Sequence, residues 1–287
     1  MVGAMTLMVS PSVLFVMPGA AQTSRPQISA QSNADVMVFD LEGSFTQGGL
    51  IRGQIPPGTI RLSLDDSPLV WDDNGQFVMA FDRDALGHSR LEATLRDGRI
   101  VARDLTIAQR AWSIQHVGTA LRPTLQSADF LAIRTAELAR IAHARAERSD
   151  SSGWRQAFIW PYAGRISGSF GVQRVYRGEP GAFHGGVDFA GPLGAPIVAP
   201  ADGVVVLASA APFSLEGNLL ILDHGAGLNS AFLHLSRIDV RQGEHVLRGQ
   251  RIAAIGATGR ATSPHLHWAM KWREARIDPQ LVVAKTK

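Results

Sequence analysis

The chain has 287 residues, of which 45% are apolar, enough for two modest domains. It contains no cysteine, so disulfides and thiolate metal sites are excluded, and any metal must be held by histidine and carboxylate. Its formal charge of +3 is too small to argue for a nucleic-acid partner, and none is expected.

No charged side chain precedes Arg25, and residues 2–17 are apolar apart from Thr6 and a break at Ser10-Pro11-Ser12. Gly19-Ala20-Ala21 offers the small residues of a cleavage site, so residues 1–21 read as a secretory signal peptide. The stretch is too short and interrupted for a spanning helix, and no membrane span is expected in the mature form. Secretion to the periplasm or cell envelope follows from this reading. Residues 22–34 are polar and read as a flexible lead-in.

Residues 35–118 show short alternating runs separated by turn signals, of which Pro56-Pro57-Gly58 and Asp73-Asn74-Gly75 are the clearest. The runs VMVFDLEG, GLIRGQI, TIRLSLDD, PLVW, QFVMAFD, LEATLRDG and RIVARDLTI predict a small antiparallel β-sandwich of immunoglobulin-like character. His88 and His116 stand alone there and carry no constellation. Residues 119–153 read as a helical linker. Within it Leu131, Ala136, Leu138, Ile141 and Ala144 recur at helical spacing, and the polar run at 149–153 ends the helix. This helix either packs on the next domain or occludes its site.

Residues 154–287 return to a β-rich, glycine-rich pattern and hold six of the nine histidines: His184, His224, His234, His245, His265 and His267. In an extended segment His184 and Asp188 share a face, with two glycines between them to let the backbone bend. His265 and His267 also share a strand face, while Leu266 and Trp268 look the other way. His234 stands on an apolar strand. Catalytic zinc takes three protein ligands and keeps a fourth position open, and two histidines with one aspartate meet that need. His224 in Asp-His-Gly reads as structural, and His245 as exposed.

The segment from about residue 160 to 283 resembles the lysostaphin-type (LytM-like) zinc endopeptidases. The resemblance is carried by Gly164-Arg165-Ile166-Ser167-Gly168-Ser169-Phe170-Gly171, His184-Gly185-Gly186-Val187-Asp188, Phe232-Leu233-His234-Leu235, Gly256-Ala257-Thr258-Gly259-Arg260 and Pro264-His265-Leu266-His267, in the family's order. Ser263, Trp268-Ala269 and Phe232 depart from the usual pattern, and none removes a ligand. The resemblance implies an antiparallel β-sheet peptidase domain, with His184, Asp188 and His267 as Zn2+ ligands. It implies His234 and His265 as the catalytic pair, one taking water's proton and the other hydrogen-bonding the oxyanion, and peptidoglycan peptides as substrate. Asn218 either orients substrate or holds a turn. Arg260 either binds a carboxylate of an anionic peptide or is a solvated loop arginine. A function of another class, a non-catalytic cell-wall-binding module or activator of another wall hydrolase, is weighed against catalysis.

Overall fold

In the computed structural model, residues 38–118 and 127–283 are described; the expected signal peptide and lead-in lie outside them. Before residue 118 the strands are β1 (Asp40–Gly43), β2 (Leu50–Gln54), β3 (Thr59–Leu64), β4 (Ser67–Pro68), β5 (Gln76–Ala80), β6 (His88–Leu95), β7 (Ile100–Thr106) and β8 (Ile114–Val117). The first seven form two antiparallel sheets of order β1-β2-β5 and β4-β3-β6-β7. Phe39 just ahead of β1, Ile51 and Phe77 from one sheet and Leu62, Leu91 and Leu105 from the other are buried in one core. A constant-type immunoglobulin domain has four strands in one sheet and three in the other. Here the division is three and four, with the fourth strand paired to the third.

The run expected to make a strand at PLVW is reduced to Ser67–Pro68 and a single bridge from Trp71 to Phe77. Proline cannot donate to a ladder and ends the edge strand. Asp65 and Asp66, placed in a strand by the sequence, both adopt positive φ and make the tight turn between β3 and β4.

Helix α1 (Ala128–Ala146) begins where Ser127 Oγ accepts from the Phe130 amide. The strands after it are β9 (Arg165–Gly168), β10 (Gln173–Tyr176), β11 (Glu179–Phe183), β12 (Val187–Ala190), β13 (Pro196–Val198), β14 (Gly203–Ala208) and β15 (Asn218–Asp223). They continue with β16 (Leu228–Leu235), β17 (Arg237–Ile238), β18 (His245–Val246), β19 (Arg251–Ala254), β20 (His265–Trp272) and β21 (Ala275–Ile277). The main sheet runs β18-β14-β15-β16-β20-β12-β9, with β21 beside β20, and every pairing in it is antiparallel. Smaller sheets are β13-β19-β17 and β11-β10-β8.

One face of the main sheet, through Phe189, Leu220, Leu222, Phe232, Leu266 and Trp268, faces the larger core. The opposite face is divided. Helix α1 covers part of it, where Ile141 and Ala144 pack with Leu207, Phe213, Leu219, Ile221 and Ala231. A strand buried on both faces reads as a continuous apolar run, which is why β15 is NLLILD and not an alternating pattern. The rest of that face is an open cleft over β16, β20, β12 and β9. Among the two roles weighed for the helix, packing is the one observed: no residue of α1 lines the cleft.

The described residues fall in one compact unit. Arg52 donates to the carbonyl oxygens of Trp154 and Gln156 at 2.7 and 2.9 Å. Arg276 forms a two-pronged bond to Asp82 at 3.0 Å, and Arg110 reaches Asp278 at 2.8 Å. Buried Arg83 donates to Gly171 O and lies over the Phe183 ring. The last strand of the N-terminal region, β8, pairs in parallel with β10 and thereby becomes part of the cleft wall.

Candidate metal centre

Strand β20 alternates as the sequence predicts: Leu266, Trp268, Met270 and Trp272 are buried, and His265 and His267 project to the cleft. Asp188 on β12 is the direct cross-strand partner of His267. The local sequence permits this close approach. A Cβ at Gly168, across from Asp188, would sit 2.4 Å from Asp188 Oδ2. A Cβ at Gly186 would meet Trp268 O at 2.3 Å. Gly185, by contrast, has open space where a Cβ would go, so only one of the two glycines between His184 and Asp188 is sterically required.

His184 arrives differently from the sequence reading. It does not lie in one extended segment with Asp188. It follows the end of β11, exchanges backbone bonds with the 171–172 segment, and the chain bends before β12. The convergence is therefore made by a turn and not by strand parity.

Three donor atoms meet. His184 Nε2 lies 3.0 Å from Asp188 Oδ1, His267 Nδ1 lies 2.8 Å from the same oxygen, and the two nitrogens are 3.0 Å apart. His184 Nδ1 is 2.9 Å from the Ser169 carbonyl, which can only accept, so the proton of a neutral His184 is on Nδ1. Its Nε2 then turns a lone pair towards a carboxylate oxygen and a second imidazole nitrogen. That arrangement calls for a cation. Donors around a tetrahedral zinc with bonds of about 2.0–2.1 Å would stand about 3.3 Å apart, close to what is seen. Burial opposes ionisation of Asp188, but its bonds to the two imidazoles hold its pKa well below the usual carboxylate range. Burial likewise opposes protonation of His184, and the Asp188 carboxylate outweighs it and raises the pKa. His267 is lowered, by burial first.

His234 and His265 face each other beside this triad, ring centroids 4.8 Å apart, and His234 lies 6.4 Å from His267. His234 reaches the cleft through a β-bulge. Asn218 pairs with Leu235 but Leu220 with Phe232, so Leu233 and His234 together oppose one residue of β15. His234 takes φ of 64°, a left-handed conformation uncommon for histidine. Simple alternation would bury His234 with Phe232; the bulge buries Phe232 and Leu235 and turns the imidazole to the cleft. His234 Nδ1 donates to Thr258 O at 2.9 Å and His265 Nδ1 to Ser263 O at 2.7 Å. Both rings therefore present an accepting Nε2. Burial, the first cause, pushes His234 down to about 4, so it is neutral at pH 7.

Arg260 lines the cleft. Asn218 does not: its amide donates to Leu235 O at 2.9 Å and its backbone N–H to Thr258 Oγ1. These bonds place Asn218 in the bulged hairpin behind His234. His224 is fully buried, bonded to Asp202 O and Ser230 Oγ at 2.7 and 2.8 Å. His245, His88 and His116 are exposed. Glu216, on the cleft rim, was not singled out by sequence. It receives two bonds from Arg134 of α1 at 2.7 and 2.6 Å and, through its carbonyl, one from His234 N. No local sequence pattern marks a pair 82 positions apart.

Comparison with known proteins agrees with this geometry. Residues 182–279 match the sequence profile of Peptidase family M23. Peptidoglycan DD-endopeptidase ShyA of Vibrio cholerae is 34% identical over 230 residues, covering 75% of this chain and 51% of that protein. Peptidoglycan DD-endopeptidase ShyB of the same organism is 43% identical over 95 residues, covering 33% of this chain and 22% of that protein. A solved structure described as a peptidase M23 from Pseudomonas aeruginosa superposes with a TM-score of 0.63 at 26% identity, covering 84% of this chain and 96% of that one. The chain thus spans about half the length of ShyA and about a fifth of ShyB. The segment that holds the two histidines, the aspartate and the facing imidazole pair is thus a Peptidase family M23 domain.

Proposed function

We propose that the chain is a zinc metalloendopeptidase of the cell envelope that hydrolyses peptide bonds in peptidoglycan stem peptides or cross-links. The observation that carries it is the convergence of His184 Nε2, Asp188 Oδ1 and His267 Nδ1 beside two accepting imidazoles in one open cleft. Relatives named as peptidoglycan DD-endopeptidases support the substrate class.

In this reading His184, Asp188 and His267 hold the metal. When bound, zinc polarises a carbonyl and makes water a nucleophile near neutral pH. The remaining work falls to the chain. The Ser169 carbonyl fixes the His184 tautomer and orients its ring. His265, the more accessible of the pair, accepts the proton of the attacking water at Nε2. His234 also offers an acceptor and not a donor to the cleft, so it can hydrogen-bond an oxyanion only after taking up a proton there. Burial keeps it neutral until negative charge develops beside it. Arg260 is assigned to substrate, and Asn218 to support of His234. The β-sandwich, the helical linker and the peptidase region are read as a positioning domain, a brace and the catalytic domain.

Metal analysis of the purified full chain, with mass spectrometry of products from sacculi, tests this. Stoichiometric zinc and peptide-bond cleavage are expected. Binding to sacculi with neither zinc nor product would support the non-catalytic binding or activator reading instead.

A further inference from the structure

Among the described residues, the negative charges lining the cleft are already engaged. Asp188 is bonded by His184 and His267, and Glu216 by Arg134. Three arginines, Arg165, Arg174 and Arg260, line the same cleft, and none has an ion-pair partner among the described residues. Arg260 stands on the β19–β20 loop near β15, where its backbone N–H reaches Leu215 O. Arg165 and Arg174 stand across the triad, on β9 and β10.

Register fixes where Arg165 projects. Arg165 pairs with Ala190 on β12, and Ala190 pairs with His265 on β20. Cross-strand partners share a face, so Arg165 rises on the same side as His265, two strands away, about 10 Å at the usual strand spacing. Arg174 is steadied by β8, where Gln115 Oε1 accepts from its Nε at 3.2 Å, and its terminal nitrogens have no described acceptor. It lines the cleft together with Arg165, His184 and Asp188. A cleft lined by unpaired charge of one sign concentrates ligands of the other. Guanidinium groups are shaped to take carboxylates on two parallel bonds.

We propose that Arg174, steadied by Gln115, and Arg165 form a carboxylate-binding subsite that selects peptides carrying a free carboxylate near the bond placed over the triad. This rests on the endopeptidase reading and adds the charge class of the substrate. It also gives β8 a purpose: the N-terminal region supplies part of the subsite wall.

The test uses the full chain and soluble cross-linked wall peptides in two forms, with carboxylates free or converted to primary amides by carbodiimide and ammonia. Wild type should favour the free form in kcat/KM by about tenfold or more, as suits a charge-assisted hydrogen bond, with most of the difference in KM. Arg174→Gln and Arg165→Gln should each slow cleavage of the free form while leaving the amidated form unchanged. Arg174→Glu should reverse the preference. Equal cleavage of both forms by wild type, or equal slowing of both by the variants, overturns the subsite. Calorimetric binding of the same two peptides runs beside the kinetics. If neither form is cut, the endopeptidase reading fails, and a Kd ratio near one sinks the subsite as well, whereas a ratio favouring the free form upholds it.

Discussion

Asp188 and His267 are direct cross-strand partners, and their side chains meet Oδ1 to Nδ1 at 2.8 Å. The sheet's own register thus brings two donors together before His184 joins them from the bend ahead of β12. His265, two residues along the same strand, faces His234 and makes none of these contacts. Replacing the two histidines of β20 should therefore have different consequences. His267→Ala should abolish stoichiometric zinc. His265→Ala should keep the metal and lower turnover on sacculi by about 10²–10⁴-fold. Metal analysis beside a turnover assay checks both, and full zinc in the His267 variant would overturn the ligand assignment.

The two glycines between His184 and Asp188 should respond unequally. At Gly186 a Cβ would sit 2.3 Å from the Trp268 carbonyl oxygen, a backbone atom that cannot swing away. Gly186→Ala should destabilise the chain by about 1–3 kcal/mol and weaken metal retention. Gly185→Ala, with open space around it, should do neither. Denaturant melts and metal content on both variants decide it; equal behaviour would contradict the β12–β20 approach described.

Helix α1 braces the bulged strand through Arg134, whose guanidinium bridges Glu137 and Glu216. The Glu216 carbonyl in turn accepts from His234 N at 2.8 Å. Because both charges are largely out of water, removing one strands the other. Arg134→Met is expected to loosen residues 213–217, raising their hydrogen exchange, and to lower kcat with zinc content intact. Unchanged exchange and kcat would leave α1 a cover for the sheet and nothing more.

His224 should make stability depend on pH. Burial, chiefly, lowers its pKa to about 4 in the folded chain, against 6.5 for the ordinary side chain. Trp268 Nε1–H donates to Ser230 Oγ, Ser230 can donate to His224 Nε2, and His224 Nδ1–H donates to Asp202 O. This chain of donors fits the neutral ring. Between pH 6.5 and 4 the unfolded state binds the proton and the folded state does not, so stability is full above the window and falls as pH drops through it. The loss attributable to His224 is about 3 kcal/mol. Comparing chelator-treated wild type with His224→Asn across that range should show the slope diminished in the variant; identical slopes would mean that the ring charges without cost.

The chemistry of the centre was legible in the sequence because it depends on residue types at short spacing. His265-Leu266-His267-Trp268 alternates on its strand as its polarity dictates, with the imidazoles to the cleft and Leu266 and Trp268 to the core. The helix and most strands were legible too, since apolar period and turn residues are local. Strand alternation alone pointed the wrong way at His234: a bulge against β15 and a positive φ, both set by pairing with distant residues, turn it to the cleft. The same is true of His184, whose approach to Asp188 depends on a bend bonded to residues 171–172. The residue type of Asn218 left a substrate contact and a turn equally open, and its amide bond to Leu235 is visible only in the folded chain. Glu216, Arg174 and β8 join the cleft only through contacts between segments far apart in the chain. The sequence by itself determined which atoms could hold a metal and move a proton. Only the tertiary structure decided which of them converge and which charges remain unpaired, because register, bulges and burial are properties of paired strands.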